Sequence, residues 1–89
     1  MKISKIKGQT RTGFNFEITK SSLENYELIE ALGELEESPL ALPRVVRLLL
    51  GDKAEDLKDH VRDNFGLVPV NALSEEIKDI FGASQDIKN

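Results

Sequence analysis

The stretch PLALPRVVRLLLG, residues 39–51, constrains this chain more than any other. Leu, Val and Ala dominate it, yet it also holds two prolines and two arginines. A short strand over VVRLLL fits by length, but helix chemistry fits better. Pro43 suits a first helical position, Gly51 suits the position just past the end, and consecutive leucines favour helix over strand. Wound as a helix, Val45, Val46, Leu48, Leu49 and Leu50 cover most of the circumference, while Arg44 and Arg47 share one narrow polar edge. A helix apolar nearly all round belongs at the centre of a bundle. The chain has 89 residues, one domain's worth. Either those residues cover every side of this helix, or part of it is left as a surface for another chain.

The flanking segments supply the cover. GFNFEIT alternates Phe14, Phe16 and Ile18 with Asn15, Glu17 and Thr19, the period of a half-buried strand. GQTRTG before it has turn composition, and KISKIK before that carries Ile3 and Ile6 without clean alternation. A hairpin or a single strand is predicted there. Ser21 or Ser22 caps a predicted helix over about 22–37, with Leu28, Ile29, Leu32 and Leu35 as its apolar stripe and Tyr26 and Ala31 at the edges. After Gly51, Asp52 and Glu55 resemble a capping box. Ala54, Leu57, Val61 and Phe65 make the next stripe, and Gly66 ends it. Val70, Leu73, Ile77, Ile80 and Phe81 define a last helix over about 70–81, with Gly82 past its end and a frayed 83–89 tail. The fold class is therefore mainly α: a small bundle of about four helices preceded by a short N-terminal β-hairpin or strand. It forms one domain over 1–89, with a basic β-like arm (1–20) and a helical body (22–82).

Charge is unevenly placed. In residues 1–20, Lys2, Lys5, Lys7, Arg11 and Lys20 stand against Glu17 alone, a net +4, whereas the remainder carries −8. Such an arm either touches nucleic acid or folds back on its own acidic body, and its strand-like alternation favours the second. Glu24, Glu27, Glu30, Glu34 and Glu37 form an acidic ladder on the 22–37 helix, where like charges at these spacings cost about 0.2–0.5 kcal/mol per pair. Cations must lie nearby, and Arg44 and Arg47 are the candidates.

Catalytic and cofactor chemistry finds no purchase. The chain has no cysteine and a single histidine, His60, predicted on a polar helix side near Asp56 and Asp59. That set is too small for a zinc site. Asp52, Asp56, Asp59 and Asp63 diverge on a helix and form no EF-hand loop. No P-loop, dinucleotide fingerprint or nucleophile elbow occurs. A helix-turn-helix reading of VVRLLLGDKAEDLKDHV puts five acids against three bases on its second helix, so nucleic acid is not expected as a partner. MKISKIKGQTR lacks the apolar run of a signal peptide, and no stretch reaches membrane-span length. By elimination, a non-enzymatic protein-binding role is expected.

From Ser38 onward, SPLALPRVVRLLLGDKAEDLKDHVRDNFGLVPVNALSEEIKDIFG resembles the small tail assembly chaperones of long-tailed bacteriophages and prophages, especially those of Gram-positive bacteria. The preceding GFNFEITKSSLENYELIEALGELEE is similar to that family's strand, capped helix and acidic loop. The resemblance implies a helper that keeps the tape-measure protein soluble and gathers tail tube subunits around it. Such a helper works in the cytoplasm of the bacterial host and leaves before the virion is complete. The alternatives are a structural tail or connector protein of a phage, or a small helix-turn-helix-like regulator. The family has no catalytic residues to carry over. A holding chaperone needs exposed apolar surface in polar surroundings, and the candidate partner-binding residues are Tyr26, Val45, Leu48, Leu49 and Phe65. Self-association is a further possibility for such a surface.

Overall fold

The computed structural model describes residues 5–87, with side chains up to Ala83. The chain opens with an antiparallel hairpin of β1 (Lys5–Gln9) and β2 (Asn15–Thr19), in which Ile6 pairs with Ile18 and Gly8 with Phe16. The β2 alternation behaves as its sequence predicts, for Phe14, Phe16 and Ile18 are all buried. β1 reads poorly as a strand because Ile6 is its one apolar side chain and Gly8 stands at the next inward position. The Phe16 ring lies over Gly8, where an added Cβ would sit 2.6 Å from the ring tip. The loop is closed by buried Thr10. Its N–H donates to the Phe14 carbonyl (2.9 Å), its carbonyl accepts from Gly13 (3.0 Å), and its hydroxyl accepts from the Phe14 N–H (3.1 Å). Gly13 takes φ +98°, which L side chains rarely adopt. Ile3 lies outside the described residues.

The predicted 22–37 helix is two pieces. Thr19 caps a single turn, α1 (Lys20–Leu23), and Asn25 then caps α2 (Tyr26–Glu37) by accepting the Glu27 N–H at 3.0 Å. An asparagine side chain competes with the helical backbone for such a donor, so the chain restarts there. Glu24 thus falls outside the ladder. The α2 stripe is Leu28, Ala31, Leu32 and Leu35, and Ile29, about 100° round from Leu28, is exposed rather than part of it.

Ser38 accepts the Leu40 N–H (3.2 Å) to start a 3₁₀ turn (39–41) that runs into α3 (Leu42–Leu50). Gly51 ends α3 at φ +56°. Residues 51–53 form a second 3₁₀ turn before α4 (Ala54–Val61). The Asp52–Glu55 capping box does not form, because Asp52 lies inside that turn and α4 has no side-chain cap. α4 also ends well before Phe65. The Asp63 carboxylate accepts the N–H groups of Phe65 (2.9 Å) and Leu67 (3.0 Å), organising a loop in which Gly66 takes φ +83°. Gly66 therefore serves a turn and not a helix stop.

The last helix, α5 (Val70–Ile87), is longer than the predicted 70–81. It continues through Gly82, whose interior helical position costs about 1 kcal/mol without breaking the helix. The predicted frayed tail is thus helical up to Ile87, and Lys88 and Asn89 lie outside the described residues. One continuous core joins the hairpin to all the longer helices, with Leu28, Val45, Leu49, Leu57 and Ile80 at its centre. α2 packs on α3, β2 on α1 and α3, and α5 on β1 and α4. The architecture is mainly α with an N-terminal β-hairpin, as predicted.

Candidate protein-binding surface

The hairpin edge of α5 is polar and closed. Arg11, at the loop, donates from Nε (3.0 Å) and Nη2 (2.7 Å) to Asp79 Oδ1, and its backbone N–H donates to Oδ2 (3.1 Å). The guanidinium hydrogen bond, followed by the backbone one, holds the Asp79 carboxyl below its ordinary range. One turn earlier, Thr12 Oγ1 donates to Glu76 Oε2 at 2.6 Å. Thr12 Oγ1 also lies 2.9 Å from His60 Nε2, and with its proton committed to Glu76 it accepts from that nitrogen. The His60 ring tilts against Phe14, centroids 5.3 Å apart. His60 is therefore a hairpin contact, not a free histidine beside Asp56 and Asp59.

This threonine, histidine and glutamate do not form a nucleophile-activating relay. Such a relay needs the carboxylate behind the histidine and the hydroxyl proton aimed at the imidazole. Here the carboxylate takes the hydroxyl proton directly. Glu76 is buried, and its Oε1 has no hydrogen-bond partner among the described residues. Its role was legible in one respect. Glu76 stands between Leu73 and Ile80 at helical spacing, so it interrupts the apolar stripe. Its partner, Thr12, gives no sequence signal. Among the described residues no cluster of three metal-ligating side chains occurs, and no helix is long and apolar enough to cross a membrane.

The acidic ladder is neutralised only in part. Arg44 bridges Glu30 (3.4 Å) and Glu34 (3.1 Å), as expected. Arg47 is exposed and makes no ion pair among the described residues, so its expected share of the task is not taken up. Glu36 and Glu37, at the C-terminal end of α2, are exposed and also make no ion pair among these residues. The last turn of α2 holds no basic residue, and the partial negative charge of the helix end adds to theirs.

Beside this acidic end lies an open trough of about 780 Å³ between α2 and α5. Leu32, Leu35, Pro39, Val70, Ile77 and Phe81 make its apolar lining. It exists because α2 leans on α3 while α5 leans on β1 and α4, so the two helices do not close on each other. The sequence-predicted binding residues are scattered with respect to it. Tyr26 (70% exposed) and Phe65 (87%) are on the surface, and Leu48 is half-buried against the core. Val45 and Leu49 are core, at 0% and 2% exposure, because the hairpin and neighbouring helices cover α3. Neither offers a surface to a partner in this fold. The largest exposed apolar side chains also include Leu40 (86%), on the turn between α2 and α3.

Comparison of the chain with protein-family models, with curated proteins and with solved structures finds no match.

Proposed function

We propose that this chain is a phage tail assembly chaperone that binds helical segments of the tape-measure protein, keeps them soluble and helps recruit tail tube subunits, without catalysis. The observation that carries the reading is the apolar trough between α2 and α5, bordered by unneutralised carboxylates. A small folded body that leaves an apolar groove open within a charged surface suits a holder of other chains' helices. The net charge of −4 adds solubility to such a complex. The pattern from Ser38 to Gly82 points to the same family of helpers.

The test is co-expression with the tape-measure protein of the same phage or prophage genome. The chaperone reading expects that protein to move into the soluble fraction and co-purify with this chain. A tape measure that stays insoluble beside abundant, folded chain contradicts it. A search of purified particles separates a helper from a permanent tail component, since a helper is absent from finished virions.

A further inference from the structure

We infer that the α2–α5 trough takes a single amphipathic helix whose apolar stripe is edged by lysine or arginine. The inference rests on the reading of this chain as a holder of helical partners, and adds the site and the chemistry of the segment held. Two independent features of the trough define that segment. Its lining is mostly apolar and comes from two facing helices, which suits side chains repeating at i, i+3 or i+4, and i+7. Its border is net acidic: Glu36 and Glu37 are unpaired among the described residues, and opposite them Glu75 pairs at 3.4 Å with Lys78, the border's one cation among those residues. The α2 carbonyl end faces the same border and favours a cation. A second copy of this chain fits worse, because a self-complementary contact would bring this acidic border towards its own mate in a chain of net charge −4.

The probes are two labelled peptides of about five helical turns, identical in their leucine stripe and flanked by either lysines or glutamates. Binding to the full chain is read by fluorescence anisotropy. The lysine peptide binds with a Kd on the order of micromolar, at least about tenfold tighter than the glutamate peptide, and high salt narrows the gap. Glu36→Lys with Glu37→Lys abolishes or reverses the preference. Val70→Asp weakens both peptides about tenfold or more. All three positions are exposed, so circular dichroism and the melting temperature stay near wild type. Equal affinity for both peptides, absence of binding, or indifference to these substitutions overturns the inference. So does a stable dimer in sedimentation that Val70→Asp dissolves, because the occupant is then a second copy. Failure here is distinguishable from failure of the chaperone reading. If the tape measure is held equally by wild type and by a chain carrying Glu36→Lys, Glu37→Lys and Val70→Asp together, the trough is wrong and the chaperone stands. If the peptides behave as stated while the tape measure stays insoluble, the reverse holds.

Discussion

Along its hairpin edge, α5 presents Glu76 and Asp79 one turn apart, and each meets a side chain delivered by the hairpin loop. Along its other edge, Ile77 and Phe81 look towards Leu32 and Leu35 of α2 across an open trough. The same helix thus has one flank completed by its own chain and one left incomplete. Chemistry at the two neighbours explains the difference. The hairpin loop brings a guanidinium and a hydroxyl to two carboxylates, so approach is favourable. At the end of α2, Glu36 and Glu37 meet Glu75, whose neighbour Lys78 pairs within α5 (3.4 Å), so among the described residues no ion pair draws α2 and α5 together there. A small domain of mixed charge settles which surfaces it closes by where its few cations fall.

The largest contrast between the flanks is expected from apolar truncation. Ile80→Ala, in the closed core, should cost about 3 kcal/mol in urea unfolding. Val70→Ser, at the trough, should change stability by less than about 0.5 kcal/mol. A comparable loss at both would mean that the trough is structural. Next in size, Thr12→Val removes the hydroxyl from buried Glu76 and leaves its carboxylate without either bond, at about 1–3 kcal/mol. A neutral result would show that Glu76 is hydrated and the hairpin edge open to water.

Smaller still is the asymmetry of the two arginines. Arg44→Glu should destabilise by about 1 kcal/mol, because it adds a like charge beside Glu30 and Glu34, whereas Arg47→Glu should stay within about 0.5 kcal/mol. Equal effects would contradict the assignment of Arg44 alone to the ladder. The smallest effect concerns pH. Arg11 lowers the Asp79 pKa in the folded state, so the contribution of this pair is fully present above the unfolded value, about 3.9. It is lost as pH falls through the folded value. Asp79→Asn should therefore be less stable than wild type at neutral pH, with the two curves converging in strong acid. Parallel curves would remove the Arg11–Asp79 bond from the closed flank.

Much of this division was hidden in the sequence for a physical reason. Periodicity reports which face of an element is apolar, and it located the β2 alternation, the central α3 and the acidic ladder from Glu27 onward. It says nothing of what covers an apolar face. Val45 and Leu49 therefore read as surplus surface although the hairpin packs on α3, and Phe65 reads as stripe although Asp63 draws its N–H into a loop. Ends of elements failed where a side chain competed with the backbone, as at Asn25, or where none did, as at Gly82. The trough was unreadable because it belongs to no element: it is the space between two helices that each pack elsewhere.

The most direct measurement is site-specific photocrosslinking to the co-expressed tape-measure protein. A crosslinking side chain at Asn71, in the trough, should capture the tape measure, and one at Gln9, on β1 beside Asp79 of α5, should not. The captured segment should be helical and flanked by basic residues. Capture from Gln9 but not from Asn71 would show that partners bind the closed flank, and the division between the two sides of α5 would be wrong.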